Sequence, residues 1–141
     1  MAYALYAVSE MKPFALLTRL EADSDAPRAG RVAAGEVLGR LDGHAVRIGE
    51  DVTLAVSELV TNAVVHGCPP GTAVELRMTA SDSMLRVEVR DEGTLRFDWP
   101  TNGGGNGHWG LAMVREFSDR AGITHQPSTA VWCEFDLNGA H

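Results

Sequence analysis

The sequence predicts an α+β fold: a two-layer sandwich in which a mainly antiparallel sheet is covered on one face by helices. Three observations carry this. Two stretches alternate with period two around a short polar turn, Thr72 to Thr79 and Met84 to Arg90 about Ser81–Asp82–Ser83. Two helical patterns stand side by side ahead of them, spanning roughly residues 26 to 41 and, from about Val46 or Glu50, on to His66. Strands therefore come in hairpins and helices in pairs, not in strict alternation, which favours α+β over a parallel α/β sheet.

The elements follow in order. Residues 1 to 13 are expected to form an arm or an edge strand, and residues 14 to 138 a single domain. Phe14 to Glu21 reads as a strand with partly alternating polarity. Asp23–Ser–Asp–Ala–Pro27 then offers a helix start, with an Asp or Ser cap and proline in the first turn. Ala26, Ala29, Ala33, Val37 and Leu41 continue at helical spacing, and Asp42–Gly43 closes the pattern. The second helix runs to His66, with Gly67 as its stop and Pro69–Pro70 beyond. After the hairpin comes Asp91–Glu92–Gly93. Residues 94 to 109 lose all periodicity and carry Gly103, Gly104, Gly105 and Gly107. Aperiodic loops of this length are often lids or binding loops. A helix resumes over Gly110 to Phe117, and strands are expected near residues 122–125 and 129–137.

Composition narrows the function. The 141 residues are 45% hydrophobic and 22% charged, enough to build a packed core. Twelve basic residues against nineteen acidic ones give a net charge of −7, which argues against phosphate-backbone binding to nucleic acid. No apolar run reaches membrane-spanning length. The N-terminal segment lacks the basic start of a signal peptide, so a cytoplasmic location is expected. Cys68 and Cys133 form no zinc-ligand pattern and read as reduced packing thiols.

The most informative segment is Ser57–Glu–Leu–Val–Thr–Asn–Ala–Val–Val–His66–Gly67. Glu58, Asn62 and His66 recur every four residues, so a helix stacks a carboxylate, an amide and an imidazole on one face. Apolar neighbours such as Leu59, Val60, Ala63 and Val64 surround that stripe. Buried polar groups cost free energy unless partnered, so a ligand, metal or water is expected there. An exposed helix face is the plain alternative, and for His66 a helix C-terminal partner. Glu58 suits a general base. The Asn62 oxygen suits magnesium, which is often held by few protein groups plus phosphates. Asp91 at a strand end can accept a hydrogen bond from an exocyclic amine, with Gly93 letting backbone approach a flat ligand. Gly107–His–Trp–Gly110–Leu111 runs a glycine loop into a helix start, an arrangement that favours anions. It is not a P-loop, since no Gly-Lys-Ser/Thr ends it.

In that order these motifs resemble the Bergerat-fold ATPases, the GHKL superfamily of gyrase, histidine kinases and mismatch-repair ATPases. Residues 57 to 67 look like the N box, Asp91–Glu–Gly93 like the first glycine box, and Gly107 to Leu111 like the second. More narrowly the chain resembles the small anti-sigma factor serine kinases, through its size, its Asn62–Ala–Val–Val–His66–Gly67 form and its closing Ala130–Val–Trp–Cys–Glu–Phe135 strand. The resemblance implies an ATP and Mg2+ site. Asn62 would hold magnesium, Glu58 would act as general base and Asp91 would bind adenine. Gly93 would lie beneath the base, and Gly107, Gly110 and Leu111 would close on the phosphates. His66 and Thr129 match positions that contribute to the pocket. It further implies a sigma factor and an anti-anti-sigma protein as partners, and a homodimer. Two positions depart from the family pattern: Leu95 in the first box and His108 in the second. They support a competing expectation, a non-enzymatic regulatory switch with a weakened ATP site. A histidine-kinase catalytic domain is disfavoured, because no helical phosphoacceptor domain fits before Phe14.

Overall fold

In the computed structural model the described residues are 13–41, 43–67, 71–91, 109–126 and 128–137. Strand β1 (Phe14–Glu21) leads into helix α1 (Ala26–Gly39) and helix α2 (His44–Asn62). The last turn of that second helix widens into a π-helical segment, Ala63–Gly67. The hairpin β2 (Ala73–Ala80) and β3 (Met84–Asp91) follows, then helix α3 (Trp109–Phe117), β4 (Arg120–Thr124) and β5 (Ala130–Asp136).

The strands form one five-stranded sheet in the order β1-β2-β3-β5-β4, with every neighbouring pair antiparallel. Register follows from alternation. Leu20 pairs with Val74, Leu76 with Val89, and Val87 with Cys133, so each cross-strand pair puts its side chains on the same face. All six are buried, and with Met78, Leu85, Val131 and Phe135 they contribute the sheet's side of the core. The helices supply the other half. Ala33, Ala34 and Val37 come from α1, Val52, Val56, Leu59 and Val60 from α2, and Leu111 and Val114 from α3. The sandwich expected from the alternation is what forms.

Several element ends differ from those expected; α2, for one, begins at His44. Helix α1 ends two residues early at Gly39, and Leu41 packs into the core from beyond the helix. Its N-cap, Asp25, makes no side-chain capping bond; its N–H instead donates to Asp23 Oδ1 at 2.9 Å. β4 begins at Arg120, two residues before the expected start, because Arg120 and Ala121 pair with Glu134 and Cys133 across the sheet. Local sequence carries no trace of that non-local pairing.

The two helices approach closely at Gly30. A Cβ there would lie 3.1 Å from Val56 Cγ1 and 3.3 Å from Val60 Cγ2, so glycine sets how tightly α1 sits on α2. That contact seats α1 on α2, the helix that carries the polar stripe.

Candidate functional site

Helix α2 presents its apolar side to the sheet and its polar stripe to a pocket. The pocket measures about 220 Å³ and is lined by Glu58, Thr61, Asn62, Val65, His66, Gly110 and Leu111. The structure therefore brings together five residues singled out in the sequence, from two elements some fifty positions apart in the chain. Thr61 and Val65 are added by the structure. They flank the stripe, and helical periodicity alone gives no reason to select them.

Asn62 is the unusual member. It is 6% exposed, yet among the described residues neither Oδ1 nor Nδ2 has a hydrogen-bond partner. A buried, unpaired amide costs roughly 1–3 kcal/mol, so its presence asks for a ligand. Larger hollows exist elsewhere. One of about 590 Å³ between α1 and α2 is lined by Arg31, Leu38, Leu54 and Ser57. None of its lining residues has an orphaned buried polar atom among the described residues, so it lacks the chemical demand that Asn62 makes.

Glu58 meets the start of α3. A Cβ on Gly110 would collide with Glu58 Oε2 and lie 2.7 Å from its Cδ. The Glu58 carboxylate occupies the space that a side chain at this position would fill, so any larger residue must push it aside. Gly110 lies in the first turn of α3, where backbone N–H groups lack intrahelical partners and the helix dipole is positive. An anionic group thus already sits beside the helix end that the sequence marked as an anion site.

The π-helical segment matters for His66. Its wider turn re-aims side chains relative to an ideal α-helix, yet His66 still reaches the pocket wall. No sequence signal marks the change from α to π at Ala63. Such bulges occur often at functional sites.

Asp91 and Thr129 form a second cluster. Both are buried, at 3% and 4% exposure, and the Asp91 N–H donates to the Thr129 carbonyl at 3.2 Å. They do not line the 220 Å³ pocket, but the strand ending in Asp91 packs against the segment that carries His66. Gly93, Leu95, Gly107, His108 and the expected lid up to residue 108 lie outside the described residues.

A magnesium ion fits the donor set. Among the described residues no three His, Cys, Asp or Glu side chains cluster as a metal cage. An oxygen from Asn62 beside the Glu58 carboxylate matches a cation completed by waters and phosphate oxygens.

The histidine kinase-like ATPase domain family matches residues 15–134. The chain belongs to that family. Within this histidine kinase-like ATPase, the stretch from Glu58 to His66 and the start of α3 fall inside the matched region. The anti-sigma F factor of Clostridium acetobutylicum is 38% identical over 73 residues, covering 51% of this chain and 50% of that protein. The crystal structure of the RsbU and RsbW domains of Rv1364c from Mycobacterium tuberculosis superposes with a TM-score of 0.65 at 26% identity, over 88% of this chain and 32% of that one. The chain thus spans about half the length of the curated relative and a third of the solved one. The α+β sandwich is the one that a histidine kinase-like ATPase domain adopts.

Proposed function

We propose that this ATPase-family domain is an anti-sigma factor and serine-protein kinase. It binds ATP, phosphorylates an anti-anti-sigma partner and sequesters a sigma factor. The observation that carries the reading is the pairing of Asn62 and Glu58: a buried amide with no partner among the described residues, one turn from a carboxylate packed on the first turn of α3. The likeness to an anti-sigma F factor and to a structure containing an RsbW domain supports the choice of partners.

In this reading Asn62 holds magnesium, which supplies charge neutralisation on the phosphates when bound. Asp91 accepts from the adenine amine, with Thr129 and His66 completing the nucleotide's surroundings and Gly93 beneath the base. Gly107, Gly110 and Leu111 face the phosphates. Glu58 takes the proton from the partner's serine hydroxyl as its oxygen bonds to the γ-phosphorus, and the bond to the β-phosphate oxygen breaks to release ADP. The ATP-binding unit runs from about residue 14 to 138 and acts in the cytoplasm as a homodimer. Among the described residues no helix is long and apolar enough to cross a membrane.

The test is calorimetric titration with Mg-ATP, followed by transfer of radiolabel to a candidate anti-anti-sigma protein. Saturable ATP binding with label on a partner serine is expected. Binding without transfer to any such partner would favour the non-enzymatic switch, and no binding would remove the nucleotide reading. Light scattering should give twice the 15.1 kDa chain mass; a monomer at working concentration would contradict the dimer.

A further inference from the structure

The sheet's outer face reaches the Asp91–Thr129 cluster through one side chain. Arg90 precedes Asp91 on β3, and strand alternation turns the two to opposite faces. Asp91 goes inward to the core side, while Arg90 stays half-buried on the outside. Its Nη1 donates to the Ser128 carbonyl at 2.7 Å and lies 3.2 Å from Ser128 Oγ. Its Nη2 lies 3.6 Å from Glu88 Oε2, so the guanidinium is braced from its own strand. The next link runs the same way, from a donor on β3 to a carbonyl ahead of β5. The backbone N–H of Asp91 donates to the carbonyl of Thr129, the residue after Ser128.

Consecutive residues of β3 thus grip consecutive residues ahead of β5. Arg90 holds Ser128 by its side chain, and Asp91 holds Thr129 by its backbone. The segment they hold precedes the β5 ladder, which begins at Ala130. There it presents Thr129 beside Asp91. A planar fork with two donors on one nitrogen is suited to fixing a backbone carbonyl in position; a lysine ammonium is a point charge on a flexible stem.

We propose that Arg90 is a positioning residue for the nucleotide's base. It touches no ligand and acts by fixing Ser128 so that Thr129 and Asp91 keep the spacing that recognises adenine. The inference rests on the reading of Asp91 and Thr129 as the adenine site. It differs from a general stabilising role in one respect: the loss must fall on the base and spare the phosphates.

The experiment compares Mg-ATP with magnesium tripolyphosphate, which lacks the base and ribose, on the wild type, Arg90→Met and Arg90→Lys. Calorimetry or competition gives both affinities, and circular dichroism checks that each variant is folded. Arg90→Met should weaken ATP binding about tenfold, the scale of one hydrogen bond to a charged group. Its tripolyphosphate affinity should stay within about twofold of wild type. Arg90→Lys keeps the charge and one donor and should fall between. Equal ATP affinity in wild type and a folded Arg90→Met overturns the proposal while leaving the nucleotide reading intact. Parallel loss of both ligands also overturns it, since that marks a general structural role. If Arg90→Met does not fold, Arg90→Lys decides: it must lose ATP affinity selectively, or the proposal fails. A wild type that binds tripolyphosphate and ATP equally overturns the adenine site itself, and this inference with it.

Discussion

Asn62 and Glu58 show how much two side chains can demand of a helix. Asn62 sits in the apolar interior with its amide unpaired among the described residues. With magnesium as its counterpart, Asn62→Ala should weaken Mg-ATP binding roughly tenfold or more, the worth of one contact to a charged group. Calorimetry with and without magnesium checks this; unchanged affinity would remove Asn62 from the metal. Glu58→Gln retains size and hydrogen bonding but not basicity. Nucleotide binding should survive it, while transfer to a partner serine falls roughly 10²-fold or more. Single-turnover transfer measured on the saturated variant decides the matter, and a normal rate would leave the kinase without its base. At Cys133 burial pushes the thiol up to about 12, only partly offset by Arg86, so it stays protonated at neutral pH and serves as packing.

Elements are joined at glycines as much as at large side chains. Helix α3 docks on α2 where Gly110 leaves room for the Glu58 carboxylate. Gly110→Ala forces the far end of Glu58 aside, an adjustment a flexible side chain makes cheaply in stability. Catalysis is less tolerant, because a misplacement of about 1 Å can cost 10²-fold in rate. The variant should therefore melt close to wild type and lose transfer on the order of 10²-fold, with ATP affinity changed less than about tenfold. Wild-type transfer by Gly110→Ala would show that the position of Glu58 against α3 is not used.

Among the described residues the molecule as a whole is a sandwich with its helices on one face of the sheet, and the other face is tied together by charge. Arg86 bonds Glu134 at 2.8 Å and stacks on the Trp132 ring at 4.3 Å, while Arg120 bonds Glu134 at 2.8 Å and also Asp136. These contacts link β3, β4 and β5 on the face that no helix among the described residues covers. Partial burial raises the Glu134 pKa, but the hydrogen bonds from Arg120 and Arg86 outweigh it and the net shift is downward. A depressed carboxylate contributes stability above its unfolded value, near 4.5, and loses it as pH falls through the lower folded value. The melting temperature should therefore drop as the pH is taken below about 4.5. Glu134→Gln should melt lower than wild type at neutral pH and show a shallower acid dependence. Identical slopes for the two proteins in calorimetric scans would mean that this network does not respond to acid.

The sequence by itself determined the order of elements, the antiparallel hairpin, the core faces and the polar stripe from Glu58 to His66. These depend on periods of two and of about four residues, which neighbouring positions encode directly. It also selected Asp91, Gly110 and Leu111, because strand ends, helix starts and motif order are local features; Thr129 came only from the resemblance to the family. Tertiary structure alone decided what those residues meet. Gly110 against Glu58 joins positions 52 apart, and the Arg90 to Ser128 bond spans 38. Nothing in either segment announces the other. The same holds for the early start of β4, which depends on pairing with β5, and for the π-helical turn at Ala63, which no local pattern predicts. Chemistry-bearing residue types can be read from the chain because propensity and periodicity are local; their contacts cannot, because packing between distant segments sets them.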